Sequence, residues 1–376
     1  MTTARRTRRT HRPAVLAAAV LVLAITVLAA CSSGDGTVEA TPDTTGAPTT
    51  TTAPPPPVLS PLTGLPTADA LAEQHPAVTV KMDNSAEARP QAGINAADVV
   101  YEMKVEGITR FALVLHSQLP ESVGPVRSAR SSDIDLVADL SRPLFAWSGG
   151  NPGVTGEVLQ AAREDVLTNA SIDVAEADYY RASDRKAPHN LFVNLPGLVA
   201  SRTPEGQGPP ASIFVYRTAT SPAPVGASPA SGVQVDFGLG TKIEYAWDAS
   251  VEGWRRFQVD QRHPRPESAT LDSDGVQVAP ANVVVQLIQY GVSPSDSRSP
   301  KALTVGEGEA LIFTNGQVIP ARWVRPTRDV PTQYLDFVGQ PIALTPGRTW
   351  VELAQQGPNV EILDPAAAEA LLVDKR

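Results

Sequence analysis

Alternating apolar and polar positions predict most of the first folded half of the chain. The segments PAVTVKMDN and ADVVYEMKVEG alternate with the period of a strand that has one buried face. ITRFALVLHSQL is almost continuously apolar, which favours a central strand covered on both faces. PLFAWSGG predicts a further strand, and GVTGEVLQAARED carries the apolar stripe of a helix. We therefore predict an α/β (or α+β) domain with a mixed sheet over residues 58–199.

The pattern changes near residue 200. SRTPEGQGPP and TATSPAPVGASPASG consist of turn-forming residues without periodicity. Beyond them come short β-rich segments separated by Gly, Pro, Asp and Asn, and the Asn315-Gly316 pair is a strong hairpin signal because both residues tolerate positive φ. We predict a mostly antiparallel β domain over residues 212–376, with the boundary between residues 200 and 211.

The first thirty residues have the pattern of an export signal. Five arginines precede the apolar run PAVLAAAVLVLAITVLAA, which ends at Cys31. Leu28-Ala29-Ala30-Cys31 matches the lipobox of bacterial lipoproteins, so we predict a lipoprotein signal peptide at residues 1–30 and lipidation of Cys31. The alternative is a plain transmembrane anchor, because an apolar run of this length is close to that needed to span a bilayer.

Composition extends this prediction to the segment that follows. Residues 31–57 are dominated by Thr, Pro and Gly, which is typical of a disordered tether. The formal charge of the chain is -9, and removal of residues 1–30 would leave 26 Lys and Arg against 40 Asp and Glu, or -14. Nucleic acid is therefore not an expected partner. The expected location is extracytoplasmic, on the outer face of the cell membrane.

Several blocks in order carry a family resemblance. HPAVTVKMDN, ADVVYEMKVEGITRFALVLHSQLPESVGPVRSARSSDID, APHNLF, NVVVQ, NGQVIPARW and PGRTWVEL resemble the YerB-type lipoproteins of Gram-positive bacteria. The resemblance extends from about Ser60 to about Leu353. It implies a lipoprotein with two domains of unknown function, and it supplies no catalytic residues.

The stretch VGPVRSARSSDIDLVADL is the first candidate site. Ser132 and Asp135 have the spacing of a capping box, which predicts that a helix begins there. Arg127, Ser128 and Arg130 would then lie on the loop entering a helix N-terminus, where free amides and the helix dipole favour anions. Guanidinium groups suit phosphate or carboxylate. The sequence therefore predicts an anion site.

Internal ion pairing is the alternative for these arginines. The available acidic partners are Asp133, Asp135, Glu102 and Glu106. Polar residues at strand ends favour a ligand site, because such ends line the crevice of an open α/β sheet. The candidates at or near strand ends are Asp83, Asn84, Arg89, Gln91, Glu102, Arg110 and Arg127.

The segment RKAPHNLF is the second candidate. His189 could serve as a general acid or base while Asn190 holds a substrate, or His189 could simply satisfy a turn. HExxH, clustered histidines, paired cysteines, GxSxG, P-loop and GxGxxG motifs are all absent from the sequence. No metal and no cofactor is predicted.

Two functions remain open from sequence. The first is an envelope lipoprotein that binds an anionic cell-wall component through the arginine loop. The second is an enzyme acting on an envelope phosphodiester or glycan, which we compare with the LytR-CpsA-Psr transferases by residue type alone. Trp247, Trp254, Trp323 and Trp350 could stack on a carbohydrate or pack in the core.

Overall fold

A computed structural model describes most of the chain from residue 57 onward. It describes residues 57–67, 73–222, 224–238, 240–260 and 267–374. The predicted signal peptide, Cys31 and all of the predicted tether except its last residue lie outside these ranges. No helix within them is long and apolar enough to cross a membrane.

Strands outnumber helices in the described ranges. The strands are β1 Val78–Asp83, β2 Val99–Lys104, β3 Thr109–Leu115, β4 Leu144–Ala146, β5 Thr168–Asn169, β6 Tyr179–Arg181, β7 Leu191–Val193, β8 Ser228–Pro229, β9 Gly232–Gly238, β10 Thr241–Asp248, β11 Gly253–Asp260, β12 Glu267–Ala269, β13 Asn282–Ser293, β14 Asp296–Leu303, β15 Gly306–Thr314, β16 Gln317–Arg325, β17 Gln333–Leu335, β18 Thr349–Gln355 and β19 Val360–Leu363. The helices are α1 Ser131–Val137, α2 Pro152–Arg163, α3 Leu195–Arg202 and α4 Pro365–Asp374. Short 3-10 turns occupy Ala86–Ala88, Ile94–Ala96 and Glu176–Asp178.

One large mixed sheet contains strands from both halves of the chain. Its order is β17-β16-β15-β13-β18-β2-β3-β1-β4-β5, with β14 on β13 and β8 on β16. The strands β1, β4 and β5 are parallel, and so are β13, β18 and β2. The α/β prediction for the first half is confirmed, and the second half is mostly antiparallel, as predicted.

Each face of the large sheet has its own core. Val80 and Phe111 belong to the cluster that includes residues of the second sheet, whose order is β12-β11-β10-β9-β19. Tyr101 and Val114 belong to the opposite cluster, with Ile134 of α1 and residues of α2. On its other side, the second sheet packs against α4. The large sheet is therefore covered on both faces.

The alternation in β1 predicts one exposed face, and this part of the prediction is wrong. All six residues of β1 are buried. The loop before α1 covers the polar face: Lys81 Nζ lies 2.7 Å from Asp133 Oδ1, and the Lys81 carbonyl accepts from the Arg127 N–H. A buried cation and a buried acid neutralise each other, so polar residues occupy a core position.

The predicted capping box is also wrong. Helix α1 begins at Ser131 and is seven residues long. The Asp133 carboxylate accepts a hydrogen bond of 2.7 Å from the Arg130 N–H, whereas Ser132 Oγ accepts from the Ala302 N–H of β14. The start of the helix is therefore fixed by Asp133, and Ser132 connects it to the second half of the chain.

Other local predictions are confirmed. The Asn315-Gly316 turn joins β15 to β16 with φ values of 49° and 69°. Trp254, Trp323 and Trp350 are buried, which confirms the core interpretation for these three residues.

Candidate functional site

The candidate site lies where β1 ends and β3 begins. Asp83, the last residue of β1, is directly opposite Arg110 across the antiparallel pair. Since Val80 and Met82 point to the second sheet and side chains alternate along a strand, Asp83 points to the face of α1 and α2. Phe111 also points to the second sheet, so its neighbour Arg110 points to the same face as Asp83. Two opposite charges are thus placed side by side at the end of the sheet.

The Asp83 carboxylate contacts three other residues. Its Oδ2 lies 2.7 Å from His189 Nδ1 and 3.1 Å from Arg127 Nε, and its Oδ1 accepts a 3.0 Å hydrogen bond from the Ser85 N–H. Asp83 is fully buried, while the side chains of His189 and Arg127 are 21% exposed. The sequence candidates Asp83, Arg127 and His189 therefore come together.

Arg110 is a buried cation without an ion-pair partner among the described residues. Only 6% of its surface is exposed. Its Nη1 donates to the Ser128 carbonyl at 3.1 Å, and its Nε has no hydrogen-bond partner in the described part of the chain. Burial, with repulsion from Arg130 and Arg127, outweighs attraction by Asp83 and Glu106 and lowers the pKa of Arg110 to about 10. The surroundings of Arg110 therefore disfavour its charged form.

Arg130 is paired internally, as the alternative for the arginines predicts. Its Nε donates to Glu106 Oε1 at 2.8 Å, and Ser299 also donates to Glu106. Burial alone would raise the pKa of Glu106, but the hydrogen bonds from Arg130 and Ser299 outweigh it and lower that pKa to about 2. Arg127 is paired with Asp83, which the sequence did not anticipate. Arg127 and Arg130 therefore each form an ion pair, whereas Arg110 forms none with the described residues.

A cavity of about 430 Å³ opens beside Arg130. Its lining comes from the β2–β3 loop, the arginine loop, the start of α2 and the beginning of β14: Glu106, Ser128, Arg130, Gly150, Asn151, Val154, Asp296 and Arg298. The Ser128 carbonyl, which accepts from Arg110, also lies 3.4 Å from Arg130 Nη1. Arg130 therefore lines the cavity, and Arg110 lies next to it through the Ser128 carbonyl.

The start of α2 is a part of the site that sequence reasoning missed. The Asn151 side chain accepts a 2.8 Å hydrogen bond from the Val154 N–H, and Pro152 is the first helical residue. The Ala129 N–H donates to the Gly149 carbonyl, which places this helix start beside the arginine loop. The segment GGNPG is a recognisable helix-start signal. Nothing in the sequence marks Asp296 and Arg298 as its neighbours.

Other candidates lie on the opposite face of the large sheet. Glu102 Oε2 forms a fully buried ion pair of 2.6 Å with Arg256 of β11. The Asn84 amide donates to Glu102 Oε1 at 3.2 Å and to Gln258 Oε1 at 3.1 Å. Gln91 donates to the Asp83 carbonyl, at 3.1 Å. Asn84 and Glu102 therefore belong to a polar network that joins the two sheets.

A second buried acid completes this network. Tyr245 donates to Glu352 Oε1 at 2.5 Å. Burial, with repulsion from Glu102, raises the pKa of Glu352 well above its ordinary value. The guanidinium of Arg256 also lies 4.9 Å from the centre of the Trp350 ring. We interpret the network as a connection between the two sheets.

The two remaining candidates hold loops in place. Arg89 donates to the Asn84 carbonyl at 2.7 Å. Asn190 Oδ1 accepts from Arg181 at 2.9 Å, and its amide donates to the Ala182 carbonyl. Asn190 therefore holds the loop that carries His189. Across the described ranges, no group of three or more His, Cys, Asp and Glu side chains could hold a metal ion.

The comparisons with known proteins identify a lipoprotein-related family of two domains. The chain belongs to the DUF3048 family: residues 62–207 match its N-terminal domain and residues 233–351 its C-terminal domain, both described as being of unknown function. It is 30% identical over 306 residues to the "Putative lipoprotein YerB" of Bacillus subtilis (strain 168), covering 78% of this chain and 85% of that protein.

A solved structure is similar in fold. The crystal structure of YerB from Bacillus subtilis matches with a TM-score of 0.66 and 24% identity, over 82% of this chain and all of that one. The family resemblance seen in the sequence is confirmed.

Proposed function

We propose that this protein is an extracytoplasmic lipoprotein, anchored to the outer face of the cell membrane through Cys31. The lipobox sequence before Cys31 supports the anchor, and the name of the Bacillus relative supports the class. The Thr- and Pro-rich residues 31–57 would hold the folded part away from the membrane.

We further propose that the folded part binds an anionic group of the cell envelope at the arginine cluster, which we define as Arg110, Arg127 and Arg130. The observation that carries this proposal is buried Arg110, which forms no ion pair with the described residues and has one nitrogen without a hydrogen-bond partner there. Burying a cation without a counter-ion is costly, so an anion that enters the adjoining cavity would be strongly favoured. A guanidinium group suits a phosphate, and we take phosphate as the ligand chemistry.

Calorimetry with glycerol phosphate, using the full chain in detergent at low salt, tests this proposal. We expect saturable binding to the wild type. Arg127→Ala should weaken it by about tenfold or more, since a charge-assisted hydrogen bond is worth about 1.5–3 kcal/mol. Arg127→Lys should restore part of the affinity, because lysine keeps the charge but loses the planar fork. The matched control is Arg322→Ala, which removes an arginine whose side chain is 60% exposed.

Melting temperatures of the same variants separate binding from folding. Arg127 is also the arginine that forms an ion pair with buried Asp83, so its loss leaves that carboxylate with His189 and the Ser85 N–H as its close partners. If Arg127→Ala lowers the melting temperature strongly while the folded molecules keep their affinity for glycerol phosphate, the arginine serves Asp83 and the binding proposal is wrong.

The alternative function is an enzyme acting on an envelope phosphodiester or glycan. Such an enzyme needs a proton-transfer group beside the anion site. The pair of His189 and Asp83, next to Arg127, is the observation that favours this alternative.

A further inference from the structure

Asp83 fixes the orientation and the tautomer of His189. The carboxylate accepts from the Ser85 N–H through Oδ1, so it is held in place while Oδ2 faces His189 Nδ1 at 2.7 Å. A carboxylate can only accept from the ring of a neutral histidine, so the proton of that ring lies on Nδ1. His189 Nε2 is then left with a free lone pair.

His189 Nε2 has no partner within the described ranges. The side chain is 21% exposed, and in the described part of the chain the side chains that hydrogen-bond or ion-pair with the ring, Asp83 and Ser85, both do so at Nδ1. A histidine that merely satisfies a turn does not require a buried carboxylate to select its tautomer. The free Nε2 is therefore placed to accept a proton from a water molecule.

The charges around His189 indicate which ligand would be attacked. The arginine cluster contributes three positive charges, and Asp83 and Glu106 contribute two negative charges. With His189 neutral, the site has one uncompensated positive charge. A phosphodiester carries a single negative charge, and it can bind to guanidinium groups while its phosphorus is attacked.

We propose that His189 is the general base for hydrolysis of a phosphodiester bound at the arginine cluster, an inference that rests on the proposed anion site. Water attacks phosphorus as His189 Nε2 takes one of its protons. A bond forms between phosphorus and the water oxygen, and one ester P–O bond breaks. His189 returns the proton to the leaving oxygen, so the products are a phosphomonoester and an alcohol. Asp83 stabilises the transient imidazolium.

Bis(4-nitrophenyl) phosphate is the probe for this activity. The full chain should release 4-nitrophenolate, and His189→Gln should lower the rate by about 10²- to 10⁴-fold, the usual contribution of a general base. Glutamine keeps a neutral polar side chain, so glycerol phosphate affinity should remain unchanged. The matched control is His75→Gln, which alters a half-buried histidine outside the site and should leave the rate unchanged.

Three outcomes test the catalytic role of His189 separately from the binding proposal. Equal rates for wild type and His189→Gln overturn the catalytic role, even when glycerol phosphate still binds. If the wild type neither binds glycerol phosphate nor hydrolyses the diester, both proposals are overturned. Loss of turnover in His189→Gln, with binding and melting temperature retained, supports the general base.

Discussion

Replacement of Arg110 by methionine should make the protein more stable and a weaker binder. The pKa of Arg110 falls from its ordinary value to about 10 on folding, mainly through burial. Each pKa unit corresponds to about 1.4 kcal/mol, so the folded state bears a penalty of about 3 kcal/mol. Methionine removes that penalty, fills a similar volume and loses one hydrogen bond worth about 1 kcal/mol. The net gain in the free energy of unfolding is about 2 kcal/mol.

The pH dependence of this gain has a definite sign. The folded-state pKa of Arg110 lies below its unfolded value, so the penalty is fully present below pH 10 and is relieved as the pH rises from there towards the unfolded pKa. The gain from Arg110→Met should therefore be constant across the neutral range.

Denaturant unfolding and calorimetry with glycerol phosphate measure the two effects together. We expect the free energy of unfolding to rise and the affinity to fall by about tenfold or more. The matched control is Arg256→Met: this arginine is also buried but is paired with Glu102, so its loss should destabilise the protein by about 3–5 kcal/mol. If Arg110→Met destabilises the protein as Arg256→Met does and leaves affinity unchanged, the electrostatic reasoning is refuted.

Two further predictions concern the anchor and the boundary between the halves. Cys31→Ala should block processing and abolish the diacylated species; mass spectrometry that finds a normally lipidated mature protein in this variant would contradict the assignment. Residues 200–211 should be cut early by a protease of broad specificity, because Glu205 and Gly206 are exposed. Cleavage within residues 218–231 instead would move the boundary, and resistance of both segments would indicate one fused domain.

Local patterns were enough to predict most strands, because period-2 alternation and turn chemistry depend on neighbouring residues. Which face of the large sheet each polar side chain points to was harder to predict. The sequence placed Asp83 and Glu102 in one crevice, but β1 and β2 direct these side chains to opposite faces. Strand order and register decide this, and both depend on pairings far apart in sequence.

The candidate site was predicted in part for the same reason. Arg127 and His189 belong to segments that local sequence identifies, an arginine loop and a Pro-His-Asn turn. Their shared contact with Asp83 joins segments about a hundred residues apart. That Arg110 forms no ion pair with any described residue has no sequence signature, since it depends on what surrounds the guanidinium in three dimensions.

The position of β18 has a consequence for how the chain folds. This strand, near the C-terminus, lies between β13 and β2 and pairs in parallel with both. Its partner β2 lies about 250 residues earlier, and contacts at such separations form slowly. Until β18 arrives, β2 presents an unpaired apolar edge, which is an aggregation hazard. The first half of the chain therefore cannot complete its sheet before nearly the whole polypeptide is available.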